Sequence, residues 1–266
     1  MDIIKKNIDK KINLFWKDFK KKKRSKVNTG LNIVNYQKKY NQRYYLLKYY
    51  PAYFTEYFHI WEKFFEKNKE LKKIKIISIG CGAGIDYDAL IHYKRINQLK
   101  VEIDYKGFDI IDWKYKDDNM NFELKNIKDF KKKDFKNVNL IILPKILTEL
   151  NSEQLTQLAE IINSGRTSNE LYFLNSYITY DVFNKKNVNG TQEFKIICNV
   201  LKKNSYILKK NKCKKFKTIS DRKEGLIKKY SFFVYPDKIK KKLSKSPILF
   251  NDYIAYNILK FVKNDN

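Results

Sequence analysis

Residues 74–86 read Ile74-Lys75-Ile76-Ile77-Ser78-Ile79-Gly80-Cys81-Gly82-Ala83-Gly84-Ile85-Asp86. A short apolar run stops at Gly80, three glycines follow at alternate positions, and the chain then enters a stretch compatible with a helix. All 266 residues hold only eight glycines, so this spacing marks a backbone demand. Glycine is used where φ must be positive or where the backbone lies close to a ligand. A buried strand that turns sharply into a helix leaves the free N–H groups of the first helical turn facing the bend, where an anionic ligand group can be held. The stretch predicts the nucleotide-side corner of an α/β sheet, and with it a cofactor-binding enzyme.

Downstream, strand and helix signals alternate. Apolar runs at 74–79, 101–109, 121–127, 138–143 and 171–176 predict strands; 84–96, 151–162 (with Asn151 or Ser152 as N-cap) and 192–203 predict helices. Residues 212–219 and 226–235 alternate apolar with polar around Asp221-Arg222-Lys223-Glu224-Gly225 and predict an antiparallel terminal hairpin closed by Pro236. Residues 249–261 predict a last helix. Strand-helix alternation implies a doubly wound, largely parallel sheet, and the hairpin adds antiparallel strands.

Upstream, residues 31–65 are helical in pattern and crowded with aromatics from Tyr36 to Phe65. Pro51 interrupts them, predicting two helices or a kink. The stripe reads either as core or as tyrosines lining a substrate cleft. Residues 1–28 predict an amphipathic helix with a basic end, Lys20-Lys21-Lys22-Lys23-Arg24, before Thr29-Gly30. The organisation expected is an aromatic-rich helical N-terminal extension or lid (1–70), an α/β domain (71–236) and a helical tail (237–266).

Lys and Arg number 57 against 29 Asp and Glu, a formal charge of +28. Such a surface attracts polyanions, and RNA bound through the basic surface is one expected partner, beside a protein partner. All but five of the basic residues are lysine. Abundant Lys, Asn and Ile also fit an AT-rich coding sequence, so charge alone does not assign the partner. Cys81, Cys198 and Cys213 are too scattered for a disulfide framework or a zinc pattern, and no metal is expected. The first residues lack a signal-peptide core and no stretch is apolar enough to span a membrane; a soluble, cytoplasmic protein without membrane partner is expected.

Strand, G-x-G-x-G, helix and a second strand ending in Asp109 resemble the class I S-adenosylmethionine-dependent methyltransferases, over about residues 70–236. The resemblance implies a Rossmann-like, doubly wound seven-stranded sheet with a reversed last strand, and S-adenosylmethionine as cofactor. A dinucleotide loop would place a third glycine where Ile85 stands. The resemblance assigns Gly80, Cys81, Gly82, Ala83 and Gly84 to the methionine and ribose parts, Asp109 to the ribose hydroxyls, and Ile110 to the adenine. In Asn126-Ile127-Lys128-Asp129, it assigns Asn126 or Asp129 to the adenine amino group, with Ile127 beside them. Pro144 belongs to the cofactor wall where the fourth strand ends. The family's usual acid two residues before the first glycine is here Ser78, and Asp86 is the candidate to replace it.

Lys145 and Glu149, beyond the fourth strand, are the catalytic candidates, since ligands sit past the carboxyl ends of parallel strands. Asn175 faces the same edge. His59 and His92 are the only imidazoles. Leu143-Pro144-Lys145-Ile146 departs from the proline-rich motif of amino-methylating nucleic-acid enzymes, and no cysteine stands there for cytosine-C5 chemistry. Tyr45 to Tyr53 is faintly similar to methyltransferase-like proteins of the small ribosomal subunit, which tilts the expected acceptor to RNA. A small-molecule or protein acceptor, and a non-catalytic RNA- or protein-binding subunit, stay open.

Overall fold

The protein is described from a computed structural model, which covers residues 2–20, 36–165, 167–181, 186–187, 190–203, 206–208, 217–219, 236–241, 243 and 254–263. The basic run 21–24, Thr29-Gly30, the turn 221–225 and the expected strand 226–235 lie outside them.

Helices α1 (Asp2–Lys20) and α2 (Lys39–Lys67) precede β1 (Lys73–Ile79). Then come α3 (Ile85–Ile96), β2 (Glu102–Asp109), β3 (Asn121–Leu124), two 3-10 turns (Ile127–Asp129 and Lys132–Phe135), β4 (Leu140–Pro144), α4 (Ser152–Ser164) and β5 (Glu170–Ile178). A small ladder of β6 (Tyr180–Asp181) with β7 (Lys186–Asn187) leads to α5 (Thr191–Lys203), β8 (Tyr206–Leu208), β9 (Lys217–Ile219), the single turn α6 (Asp237–Lys240) and β10 (Ile254–Lys263).

The sheet runs β3-β2-β1-β4-β5-β10-β8, with β9 also on β10. The first five strands are parallel; β10 is antiparallel to β5 along Val262↔Glu170 to Ile254↔Ile178. Strand order reverses between β1 and β4, opening a crevice at the carboxyl ends of both.

Side chains alternate across the strands. Ile74, Ile76, Leu140, Ile142 and Leu174 pack beneath α1, α2 and α3, while Ile77, Ile79, Ile141, Leu143 and Phe173 pack against α4 and α5. Both faces of a mostly parallel sheet are thereby covered. α1 and α2 share the first of these cores with β1 and β4.

Two expectations are corrected, the C-terminal helix and the division into two helices at Pro51. Residues 254–263 form a strand inserted into the sheet rather than part of a C-terminal helix, so the sheet extends past residue 236. Residues 217–219 pair with β10, and the hairpin partner expected for them, 226–235, lies outside the described residues. A single helix runs through Pro51, because it is held by tertiary burial: Leu46, Leu47, Tyr50, Phe54 and Trp61 are all at 2% exposure or less. Summed packing of that kind exceeds the roughly 3 kcal/mol penalty of an internal proline.

Candidate functional site

At the β1/β4 reversal lies a cavity of about 950 Å³, near the upper end of the roughly 300–1,000 Å³ of small-molecule sites. Its floor is the loop after β1. Gly80, Gly82 and Gly84 have φ of 73°, 58° and 72°, the left-handed region that a side chain disfavours. The Gly80 and Cys81 amides donate to Phe108 O at 2.8 and 3.1 Å, and the Gly84 amide to Cys81 O at 2.9 Å. A Cβ on Gly80 would meet Ile146 Cδ1 at 2.6 Å, whereas one on Gly82 would find only Trp113, at 3.8 Å.

Asp109 ends β2 and binds the loop. Its Oδ2 accepts from Gly82 N and its Oδ1 from Ile111 N, both at 2.8 Å. Each oxygen keeps a further lone pair for a ligand hydroxyl. Burial raises this carboxyl, opposed by those amides. Beside it, Asn126 caps a 3-10 turn, its Oδ1 accepting from Lys128 N at 3.2 Å, which leaves its amide N–H groups as donors.

Asp86, in the first turn of α3, lines the cavity yet is only 1% exposed. Oδ2 accepts from Tyr105 OH at 2.8 Å; Oδ1 makes no hydrogen bond. Burial pushes this carboxyl up to about 6. Ser78, fully buried in β1, stands beside it.

Lys145 follows β4 with φ 63°. Its Nζ lies 2.8 Å from both oxygens of Glu56 and 3.2 Å from Tyr57 OH, and 3.9 Å from the centre of the Tyr53 ring. Burial lowers its pKa and Glu56 opposes the shift. Glu149 stands in the turn before α4, exposed at the cavity rim. Crowding by the protein around it raises its carboxyl, and Asp109 adds to this. The roof is aromatic: Tyr36, Tyr45 and Trp113 touch pairwise at ring-centre distances of 5.3–5.4 Å, with Tyr53 and Tyr57 alongside.

The cavity wall therefore brings together Gly80, Cys81, Gly82, Ala83, Asp86, Asp109, Ile110, Asn126, Ile127, Pro144, Lys145 and Glu149. It leaves out Ser78, behind Asp86; Gly84, whose Cα packs on Met120; and Asp129, exposed on the outer side of its turn. His92 is held by Asp88 O at 2.8 Å, His59 pairs with Glu62 at 3.6 Å, and Asn175 Nδ2 donates to Asn257 Oδ1 at 2.7 Å; none lines the cavity. Glu56 and Trp113 were not foreseen. An aromatic four residues after the strand-end acid was the available signal for Trp113.

A parallel sheet closed by a reversed strand, with the glycine loop bonded to the acid of β2 at the switch point, matches the architecture implied by the sequence resemblance. The fold is a Rossmann-like, doubly wound α/β sheet closed by a reversed strand. No protein-family model and no curated protein matches the chain. Among solved structures, the plantazolicin methyltransferase BpumL, solved with a monoazolic desmethylPZN analogue and SAH, is similar over 98% of this chain and 100% of its own, at 15% identity and a TM-score of 0.48. Magnesium protoporphyrin IX methyltransferase (ChlM) from Synechocystis PCC 6803, with bound SAM, is similar over 99% and 96%, at 10% identity and a TM-score of 0.43. A SAM-dependent methyltransferase from Archaeoglobus fulgidus is similar over 76% and 93%, at 17% identity and a TM-score of 0.42. No helix among the described residues is long and apolar enough to cross a membrane, and no cluster of His, Cys, Asp or Glu there could hold a metal.

Proposed function

We propose that this protein is an S-adenosylmethionine-dependent methyltransferase. The observation that carries the reading is Asp109 hydrogen-bonded to Gly82 N on the wall of a cavity that also holds Asp86 and Asn126. These groups fit the cofactor. Asp109 has lone pairs for the ribose hydroxyls, and Ile110 and Ile127 offer apolar surface to the adenine. Asp86, with one carboxylate oxygen lacking a hydrogen bond, suits an ammonium and takes over from the acid that Ser78 lacks. That replacement also argues for retained binding over a non-catalytic subunit. S-adenosylmethionine supplies a sulfonium methyl open to direct displacement. The protein's tasks are then to align the acceptor, keep water out and take up a proton. Lys145 and Glu149 face the acceptor side from beyond β4.

Calorimetric titration with S-adenosylhomocysteine, with NAD as comparison, tests this. Micromolar binding of the first and none of the second is expected; absence of S-adenosylhomocysteine binding overturns the reading.

A second reading, RNA as acceptor, rests on the charge of +28. It requires RNA affinity that falls steeply with salt, in proportion to the phosphates contacted.

A further inference from the structure

The cavity carries a charge opposite to that of the protein. Two of its wall residues are lysines, and both are already neutralised: Lys145 by Glu56 at 2.8 Å, and Lys125 by Glu123 and Asp134, each at 2.9 Å. Three wall residues are acids, and none has an ion-pair partner among the described residues: Asp86, Asp109 and Glu149. Two of the three are claimed by the cofactor in the reading above, on which this inference rests. Glu149 is left over. It lines the same cavity as Tyr36, Tyr45, Trp113 and Asp109. A carboxylate and a wall of electron-rich rings in one cavity are the groups that select an organic cation, through ring quadrupoles and direct charge pairing together.

We propose that the methyl acceptor is a small molecule bearing a protonated amine, seated against Glu149 and the Tyr36–Tyr45–Trp113 wall and methylated on nitrogen. An ammonium has no lone pair to attack with. The Glu149 carboxylate accepts one N–H proton, and the freed lone pair forms the N–C bond. The C–S bond breaks as it forms, and its electron pair stays on sulfur. The products are a neutral thioether and a methylated ammonium, so the positive charge passes from sulfur to nitrogen and the count balances. An alkyl hydroxyl is a far weaker acid than an ammonium of pKa about 10 and gives a carboxylate little to abstract. An anionic acceptor would enter against three carboxylates. Crowding and the neighbouring Asp109 both favour the protonated form of Glu149, which suits a group that must gain a proton during the reaction.

The test uses the full-length chain saturated with S-adenosylhomocysteine and titrated calorimetrically with phenethylamine, its trimethylammonium analogue, phenethyl alcohol and 3-phenylpropanoate. Both cations are expected to bind at least tenfold more tightly than the alcohol, with the carboxylate weakest. Glu149→Gln is expected to remove the cation preference while S-adenosylhomocysteine affinity stays within threefold, which also reports an intact fold. Methyl-labelled S-adenosylmethionine is expected to label phenethylamine and not the alcohol. Equal or tighter binding of the alcohol or carboxylate, no binding of either cation, a preference that survives Glu149→Gln, or label passing to RNA and not to amines each overturns the amine assignment. Failure of S-adenosylhomocysteine to bind overturns the cofactor reading instead, and this inference with it.

Discussion

The Lys145 ammonium sits 2.8 Å from both carboxylate oxygens of Glu56, with 12% and 2% of the two side chains exposed. One partner follows β4 and the other belongs to α2, so a buried ion pair fastens the aromatic helix to the carboxyl edge of the sheet. Removing one partner of such a pair leaves an uncompensated charge. Glu56→Gln should cost about 3 kcal/mol, the low end for broken buried pairs, because Lys145 can shed its proton. The double variant Glu56→Leu, Lys145→Met should recover most of that loss. Urea denaturation of the three proteins measures it; additive losses would mean the pair is not coupled.

Asp109→Ala should weaken S-adenosylhomocysteine binding by about 1–3 kcal/mol, the scale of lost hydrogen bonds to a charged acceptor. The same change frees the Gly82 and Ile111 amides, so hydrogen exchange at both should accelerate. Wild-type affinity in the variant would remove Asp109 from the site.

Asp86 predicts a pH dependence. Its folded pKa of about 6 lies above the ordinary 3.8, so the native state binds the extra proton between about pH 4 and 6, and stability declines as pH rises through that window. Ligand binding runs the other way, because an ammonium needs the carboxylate. S-adenosylhomocysteine affinity should fall below about pH 6, approaching tenfold per unit, and Asp86→Asn should flatten both profiles. Calorimetry and urea melts from pH 4.5 to 8 provide the readouts.

The glycines of the loop separate into two kinds. Gly82→Val should fold, with a strain cost of about 1–2 kcal/mol from its left-handed φ, yet lose cofactor binding, since its Cβ meets only Trp113 at 3.8 Å. Gly84→Ala drives a Cβ into the Met120 sulfur and should lower the melting temperature more. A Gly82→Val protein that fails to melt cooperatively would make that glycine structural.

The glycine loop, the five parallel strands and Asp109 were legible because each is dictated locally, by φ and by short apolar runs such as those of β1 and β4. Asn151 was legible as a cap because its side chain and that of Gln154 satisfy each other's backbone. β10 was not. It lies between β5 on one side and β8 and β9 on the other, with Tyr256 in one core and Leu259 and Phe261 in the other, so Ile254-Ala255-Tyr256-Asn257-Ile258-Leu259 shows no alternation, and a short apolar run of that kind reads equally as a buried helix. Of the site, the acids and the loop were visible in the sequence. The Tyr36–Trp113 contact joins residues 77 positions apart, and the Lys145–Glu56 pair joins residues 89 apart. Only the folded chain sets such neighbours.

The placement of β10 also governs when this protein can exist. β10 occupies an interior place in the sheet, between residues 170–178 and residues 206–208. During synthesis the β5 edge that β10 covers therefore waits until residues 254–263 have left the ribosome. Loss of residues 254–263 would leave that edge without this partner, ready to pair with another copy, and quality control would see an aggregation-prone intermediate.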